Sequence, residues 1–432
     1  MLLFPKRVKV NYFSIELLVS TSEEIRRIYF KELHKRLDGG TVTMIRIIVG
    51  GDVCPMGNIQ SAFMNGSALE IFNDLFAEIS NADLAIVNLE CPLVSKETPI
   101  EKAGMVLGAS VECIKGLVAS NWNVINLANN HSYDHGAIGL SETIETIRKA
   151  GLDVLGAGQN IHEAQLPNIK QINGQRIVLY AMAEREFSVA DENCPGANPL
   201  DLISLVRAIH LYKQSGIFIV LIHGGKEFYP FPSPEMMRRC RFMIDMGADA
   251  VVCTHAHCPQ PWEIYNNRPI IYGLGNLVFE PLGRLPEEEW YYGYLAKLVV
   301  DGGQVRFEAV PYWQSKEIGA RSMSEDARNG FLERILIANE RIKDKTFLEA
   351  QWTNYCSQRK ADYLARLSGH NRLLALLKKC LLSTHQSRIA MIEALHLVQC
   401  ETHQEILNTI FREERRKTEL PMADLEQRQE ST

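Results

Sequence analysis

Short apolar runs alternate with amphipathic stretches over most of this chain. Ile45-Arg-Ile-Ile-Val49, Leu84–Val87, Val124–Leu127, Ile177–Tyr180, Ile217–Ile222, Ala250–Cys253 and Ile270–Tyr272 are short and rich in β-branched side chains, so each predicts a buried strand. Between them, Leu202, Leu205, Val206 and Ile209 fall on one helical face. Ser233-Pro234-Glu235 carries an N-cap, a proline at the first helical position and an early acid, and Gly247 marks that helix's end. Strand–helix alternation predicts an α/β layered core. Asn173-Gly174 and Asp301-Gly-Gly303 predict hairpin turns, so the sheets should be mixed.

The texture differs at both ends. Residues 1–43 read as an N-terminal extension, partly helical: Ser22–Leu33 is amphipathic with a Thr21 or Ser22 cap, Asp38-Gly-Gly40 breaks it, and part of this leader is open to being a mis-assigned start. After about residue 320 glycine nearly vanishes, and runs such as Phe331–Ala338 and Leu373–Leu382 predict a helical appendage over 320–415. The charged run from Arg412 predicts a solvated, disordered tail over 416–432.

A chain of 432 residues, 46% hydrophobic and 23% charged, is of ordinary globular composition. Its net charge of −6 argues against nucleic acid or an anionic membrane as principal partner. No run reaches the ~18 apolar residues of a membrane span, and the start lacks the apolar core of a signal peptide. The ten cysteines include no CxxC pair, which suits reduced, mostly buried thiols and a cytoplasmic location.

Candidate chemistry clusters where the strands should end: Gly51-Asp52, Asn88-Leu-Glu90, Asn129-Asn-His131, His223-Gly-Gly225, Thr254-His-Ala-His257 and Gly273-Leu-Gly-Asn276. In open α/β sheets the carboxyl ends of strands face one crevice, so these groups should converge there. Each has an ordinary alternative. Asp52 alone is more often a turn former, Glu90 can be a surface acid, and two alternating histidines on a strand face opposite sides. His223, ending a six-residue apolar strand, needs a buried partner, and a metal is one solution. Cys253 and Cys258 flank the histidines too tightly for a structural zinc loop and should pack. Lys226, Glu227, Tyr229, Trp262 and Tyr265 are expected to line the crevice.

Eight segments together resemble the CapA family, named for poly-γ-glutamate capsule synthesis, whose domain resembles the metallo-dependent phosphatases. They are Gly51-Asp-Val-Cys-Pro55, Ala82–Glu90, Leu127-Ala-Asn-Asn-His-Ser-Tyr-Asp-His-Gly136, Gly156-Ala-Gly158, Ala183-Glu-Arg-Glu-Phe187, His223-Gly-Gly-Lys-Glu227, Gly247–Val252 with His255-Ala-His257, and Tyr272-Gly-Leu-Gly-Asn276. The resemblance implies a four-layer αββα sandwich of two mixed sheets over residues 44–315 and a centre holding two divalent metals (Mn, Fe or Zn). Asp52 and His257 would hold one metal, and Asn130, His223 and His255 the other. Glu90 would lie between them. His131, steered by Asp134, would be the acid or charge stabiliser, with Lys226, Glu227 and Asn276 on the substrate. The implied activity is a metal-dependent hydrolase acting on a phosphoester, or on an amide or ester of an anionic polymer, within capsule or envelope synthesis. The other reading is a non-catalytic metal- or polymer-binding component of such a machine. The pattern departs from the phosphatases at Cys54, where they carry a histidine, at Glu90 in place of an aspartate, and at Asn58 in place of a basic residue. Cys54 is either a substitute thiolate or a packing side chain.

Overall fold

The computed structural model of the chain describes residues 44–281, 288–314, 319–368 and 384–429. The predicted helix at 22–33, its Asp38-Gly-Gly40 break and the apolar run 373–382 lie outside them.

Two large sheets form the core. Strands β1 (Ile45–Cys54), β2 (Leu84–Leu89), β3 (Val124–Asn126) and β4 (Asp153–Leu155) belong to the first. Strands β5 (Asn168–Ile172), β6 (Gln175–Ala183), β7 (Ile217–His223), β8 (Ala250–Thr254), β9 (Trp262–Tyr265) and β10 (Arg268–Ile271) make the second. The chain then returns to the first with β11 (Asn276–Phe279), β12 (Tyr292–Asp301), β13 (Gln304–Gln314) and β14 (Ala320–Ser322). The first sheet runs β14-β13-β12-β1-β2-β3-β4 with β11 also on β1, and the second runs β9-β10-β8-β7-β6-β5. Both are mixed. β1, β2, β3 and β4 pair in parallel while β12 runs antiparallel to β1. In the second sheet β6, β7, β8 and β10 are parallel, with β5 and β9 antiparallel at the edges. The two antiparallel hairpins β5–β6 and β12–β13 turn at Asn173-Gly174 and Gly302-Gly303, all four at positive φ.

Alternation along the strands decides which side each residue covers. Ile45, Ile47 and Val49 of β1 pack in one buried cluster with Ile217, Ile219 and Leu221 of β7, so these faces of the two sheets meet. Ile48 and Val53 point the other way, among Phe63, Phe72 and Leu140. Phe218, Val220 and Ile222 of β7 point into a third cluster with Met236, Cys240 and Ile244. Burial of each such side chain is worth ~1.5–3 kcal/mol. Helix α1 (Gly136–Lys149) covers the first sheet through Leu140, Ile144 and Ile147. Helices α2 (Leu202–Ala208) and α3 (Pro234–Asp245) cover the second. Ser233 Oγ accepts from the Met236 amide, and Gly247 follows the helix at φ +118, so the caps are as predicted.

Helices α4 (Glu325–Arg341), α5 (Lys345–Ser368), α6 (Thr384–Gln399) and α7 (Glu401–Gln429) follow. The charged run from Arg412, expected to be solvated, lies within α7. Phe331 and Ile335 of α4 enter the cluster between the sheets. Trp352, Tyr355 and Tyr363 of α5 pack with Leu397, Ile406, Ile410 and the core residue Tyr229. Among the described residues, no helix is long and apolar enough to cross a membrane.

Candidate metal centre

β1 and β2 set the first carboxylate. Asp52 stands beside Asn88 in the parallel register of the two strands, and Asn88 beside Asn126 of β3. The prediction put Asp52 and Asn88 just past their strands; instead both project from the last residues of β1 and β2. Register shifts flank Asp52 on both sides of β1, and such bulges re-aim a side chain. Gly51 permits the approach: a Cβ there would sit 2.0 Å from the Gly275 carbonyl oxygen. Asn88 Nδ2 donates to Asp52 Oδ1 at 2.8 Å, while Asn88 Oδ1 accepts from Asn126 Nδ2 (3.1 Å) and Asn129 Nδ2 (3.2 Å). The main-chain N–H of His255 donates to Asp52 Oδ2 at 3.1 Å.

His255 and His257 lie just past a strand end. β8 ends at Thr254, and the two histidines take φ of +90 and +54. Positive φ at non-glycine residues costs on the order of 1–3 kcal/mol and concentrates at functional sites. His257 is wedged among Phe279, Trp290 and Phe228, ring centroids 5.3, 5.0 and 5.9 Å away, and its Nδ1 lies 2.8 Å from Asn276 Oδ1. His223, ending β7, has Nδ1 3.0 Å from Thr254 Oγ1 and Nε2 3.0 Å from Asn130 Oδ1 and 3.1 Å from His255 Nδ1.

Glu90 lies between these groups. Its Oε1 is 3.5 Å from His223 Nε2 and 3.6 Å from His257 Nε2. Two triads, Asp52–Glu90–His257 and Glu90–His223–His255, each bring their donor atoms within 4.8 Å of one another, and Glu90 belongs to both. Both Glu90 oxygens are buried and accept no hydrogen bond among the described residues. An ionised carboxylate is costly to bury without a partner. The donors present are carboxylate oxygens, imidazole nitrogens and an amide oxygen, a set suited to a divalent cation, so the site fits the metal pair that the motifs imply.

The electrostatics agree with a cation site. Burial raises the Asp52 carboxyl, and the Glu90 charge raises it further. Burial pushes His223 and His255 down to about 4, leaving both rings neutral at physiological pH, as ligands must be. Burial also opposes charge on His257, but Glu90, Asp52 and Glu227 outweigh it and raise that ring. For Glu227, burial is outweighed by Lys226, His255 and His257, which bring the carboxyl down to about 2.

A buried relay stands beside the centre. His131 Nδ1 lies 2.7 Å from Asp134 Oδ2, as the spacing suggested. Asp134 Oδ1 also takes Lys102 Nζ at 2.6 Å, and Lys102 donates to the Asn130 carbonyl at 3.3 Å.

The structure thus brings Asp52, Glu90, Asn130, His223, His255 and His257 together, with His131 and Asp134 close to Asn130 in the chain. Lys226 and Glu227 are half-buried in the loop after β7. Asn276, predicted on the substrate, is fully buried at the start of β11 with its amide oxygen on His257, a positioning contact. Three expected crevice residues are committed elsewhere: Tyr229 packs on Trp352 and Tyr355, Trp262 on Tyr294 and Phe307, and Tyr265 under Arg241. Cys54 is buried beside Cys91, Cys253 lies 3.8 Å from Cys240, and Cys258 donates to the Tyr229 carbonyl. Asn58 is exposed. Sequence reasoning gave no individual role to Asn88, Asn129 or Glu186, though each falls inside a quoted motif, and it left out Lys102, for which no local pattern exists.

Residues 46–281 match the family model described as bacterial capsule synthesis protein PGA_cap. The chain is 29% identical over 258 residues to the capsule biosynthesis protein CapA of Bacillus anthracis, an alignment covering 57% of this chain and 61% of that protein. It is 30% identical over 267 residues to the PGA biosynthesis protein CapA of Bacillus subtilis, covering 60% and 69%. The match therefore spans about three fifths of the first relative's length. A crystal structure of a hypothetical protein from Thermus thermophilus is similar at 14% identity and a TM-score of 0.41, over 62% of this chain and 98% of that one. The chain belongs to the bacterial capsule synthesis protein PGA_cap family.

Proposed function

We propose that the centre binds two divalent cations, Mn, Fe or Zn, and that the protein is a metal-dependent hydrolase serving capsule or poly-γ-glutamate synthesis. The observation that carries this reading is the Glu90 carboxylate, buried, without a hydrogen bond among the described residues, and shared by two donor triads. Asp52 and His257 would complete one cation's set, and Asn130, His223 and His255 the other's. Bound there, the cations would supply an activated water and a clamp on the oxyanion of a phosphoester, or of an amide or ester in an anionic polymer. The residues' own parts follow from their contacts. Asn88 and the His255 amide fix Asp52. Thr254 sets the His223 ring and Asn276 the His257 ring. Asp134, itself paired with Lys102, holds the His131 tautomer that exchanges a proton with the reacting group. Lys226 and Glu227 would meet the polymer.

On this reading residues 44–315 form the four-layer αββα domain and the helices over 320–415 brace it. The partners are an anionic polymer or phosphoester and an envelope synthesis complex, and the location is cytoplasmic.

The test is purified full-length chain, supplied with Mn(II), Zn(II) or Fe(II), acting on an aryl phosphate and on poly-γ-glutamate. At least two equivalents of bound metal, with turnover abolished by chelator and by His223→Ala, support the proposal. Metal-independent turnover, or turnover indifferent to His223→Ala, sinks it. A second reading rests on Cys54, which stands where the phosphatases carry a histidine and is packed against Cys91, leaving one triad a donor short. One bound ion with polymer binding and no turnover would favour that non-catalytic role.

A further inference from the structure

The junction between α6 and α7 carries a second group of soft and borderline donors. His396, Cys400 and His403 are spaced i, i+4 and i+7. The helical hydrogen bonding passes through the junction, with Cys400 N donating to the His396 carbonyl and Gln404 N to the Cys400 carbonyl, so the three side chains share one face. Their ligand atoms lie within 4.8 Å of one another, and the two imidazole centroids are 4.5 Å apart.

A fourth donor comes from the core. Glu186, in the loop after β6, places Oε2 3.3 Å from His396 Nε2, where it also accepts from Asn130 Nδ2 at 3.3 Å; it lies outside the three-donor group and would have to close on the ion. A tetrahedral ion with bonds of about 2.1 Å separates its donors by about 3.4 Å. The loop is clipped to the junction on both sides. The Arg185 amide and guanidinium both donate to the Glu401 carboxylate, at 2.7 and 2.6 Å, and Thr402 Oγ1 donates to Glu184 at 2.9 Å.

Ordinary helix packing leaves two features unexplained. His396 Nδ1 is buried without a hydrogen-bond partner among the described residues, and Nε2 has only the ion-pair contact to Glu186. The neighbouring His403 is arranged the other way: its Nδ1 lies 2.6 Å from Tyr363 Oη, which orients the ring and leaves Nε2 as the donor, the arrangement typical of metal-bound imidazoles. The charges balance as well, since one thiolate and one carboxylate neutralise a divalent ion. Burial opposes positive charge on His403, and Lys226 and His396 oppose it further, while Glu186 favours it.

We propose that His396, Cys400, His403 and Glu186 form a separate four-coordinate metal site, of the S/N/N/O type that suits zinc. The site does not require the Asp52–Glu90 centre to be loaded, but it adjoins it: the second oxygen of Glu186 lies 3.9 Å from His255 Nε2. A cation there pins the carboxyl-terminal helices to the loop that borders the main centre.

The experiment is titration of metal-free full-length chain with cobalt(II) alone, read by absorption. A thiolate-to-cobalt charge-transfer band with tetrahedral-intensity visible bands is expected in the wild type, in His223→Ala and in Cys54→Ser, and its loss is expected in Cys400→Ser. His396→Ala, a less buried change, should bind one cobalt fewer or at least tenfold more weakly while its circular dichroism stays native, and it decides the matter if Cys400→Ser does not fold. No charge-transfer band in the wild type, a band surviving Cys400→Ser, or unchanged stoichiometry and affinity in His396→Ala overturns the proposal. A band lost in Cys54→Ser instead assigns the thiolate to the main centre and also overturns it. Failure of the main-centre reading shows separately, as turnover indifferent to His223→Ala with the band intact.

Discussion

Lys102 Nζ and Asp134 Oδ1 are 2.6 Å apart, with their side chains only 2% and 1% exposed, so the pair is a buried ion pair beside His131. Taking one member away strands the other's charge in a low-dielectric interior. Lys102→Met should therefore destabilise the protein by about 3 kcal/mol, read as a shift in the denaturant midpoint at constant slope. A change smaller than about 0.5 kcal/mol would mean that Asp134 finds another partner.

Glu90→Gln should have opposite effects with and without metal. In chelator it removes a buried charge beside Asp52, so melting should rise above wild type. With metal at about one hundred times its Kd, wild type gains about 2.7 kcal/mol per site, and most of that should be absent from the variant. Scanning calorimetry in both conditions checks the crossing; parallel behaviour would contradict a shared cation ligand.

Burial depresses His223 and His255 from 6.5 to about 4. The unfolded chain takes up these protons near 6.5 and the folded, metal-free chain not until about 4. Stability should thus be full above 6.5 and decline as pH falls through that window. Affinity for the cation held by His223 and His255 should last over the same acid range and fail only as these two rings protonate, rather than near 6.5 as for exposed imidazole, whereas the site of His257, whose ring is raised, should weaken first. Isothermal titration from about pH 4 to about pH 7 tests this, and an affinity midpoint at about 6.5 for the cation on His223 and His255 would refute it.

Glu184 moves the other way. Burial, with the Glu401 charge adding to it, raises the carboxyl from 4.5 to about 8. A raised value means stability present below 4.5 and lost as pH climbs toward 8. Glu184→Gln keeps an acceptor for Thr402 but cannot ionise, so in chelated protein its advantage over wild type should grow between those limits, to roughly 3 kcal/mol at about pH 8. Denaturation at about pH 5 and about pH 8 measures the difference, and a pH-independent gap would show that the buried acid titrates normally.

Much of this was legible from the order of residue types. β-branched runs with period-two alternation place β1 and β7, because a strand sends successive side chains to opposite faces, and Asn173-Gly174 turns a hairpin for conformational reasons local to two residues. Asp52, Asn130, His223 and His255 could be named because each follows an apolar run at its polar end. The positions that resisted were those whose meaning lies in a distant partner. Nothing around Lys102 marks it as the counter-ion of Asp134. Asn276 looks like a substrate contact until β11 is laid beside β1 and the amide meets His257. Tyr229 looks like a crevice residue until α5 covers it with Trp352 and Tyr355.

By itself, the amino-acid sequence determined the strand and helix pattern, the ligand types and their places at strand ends, since those depend on local sterics and on which side chains water excludes. Only the tertiary structure decided that His255 and His257 sit past the end of β8 at two left-handed backbone angles. It also decided that Glu90 ends between both triads, and that His396, Cys400 and His403 arrive next to Glu186. These are consequences of long-range packing, and packing energy depends on the sum of contacts across the molecule rather than on any stretch of it.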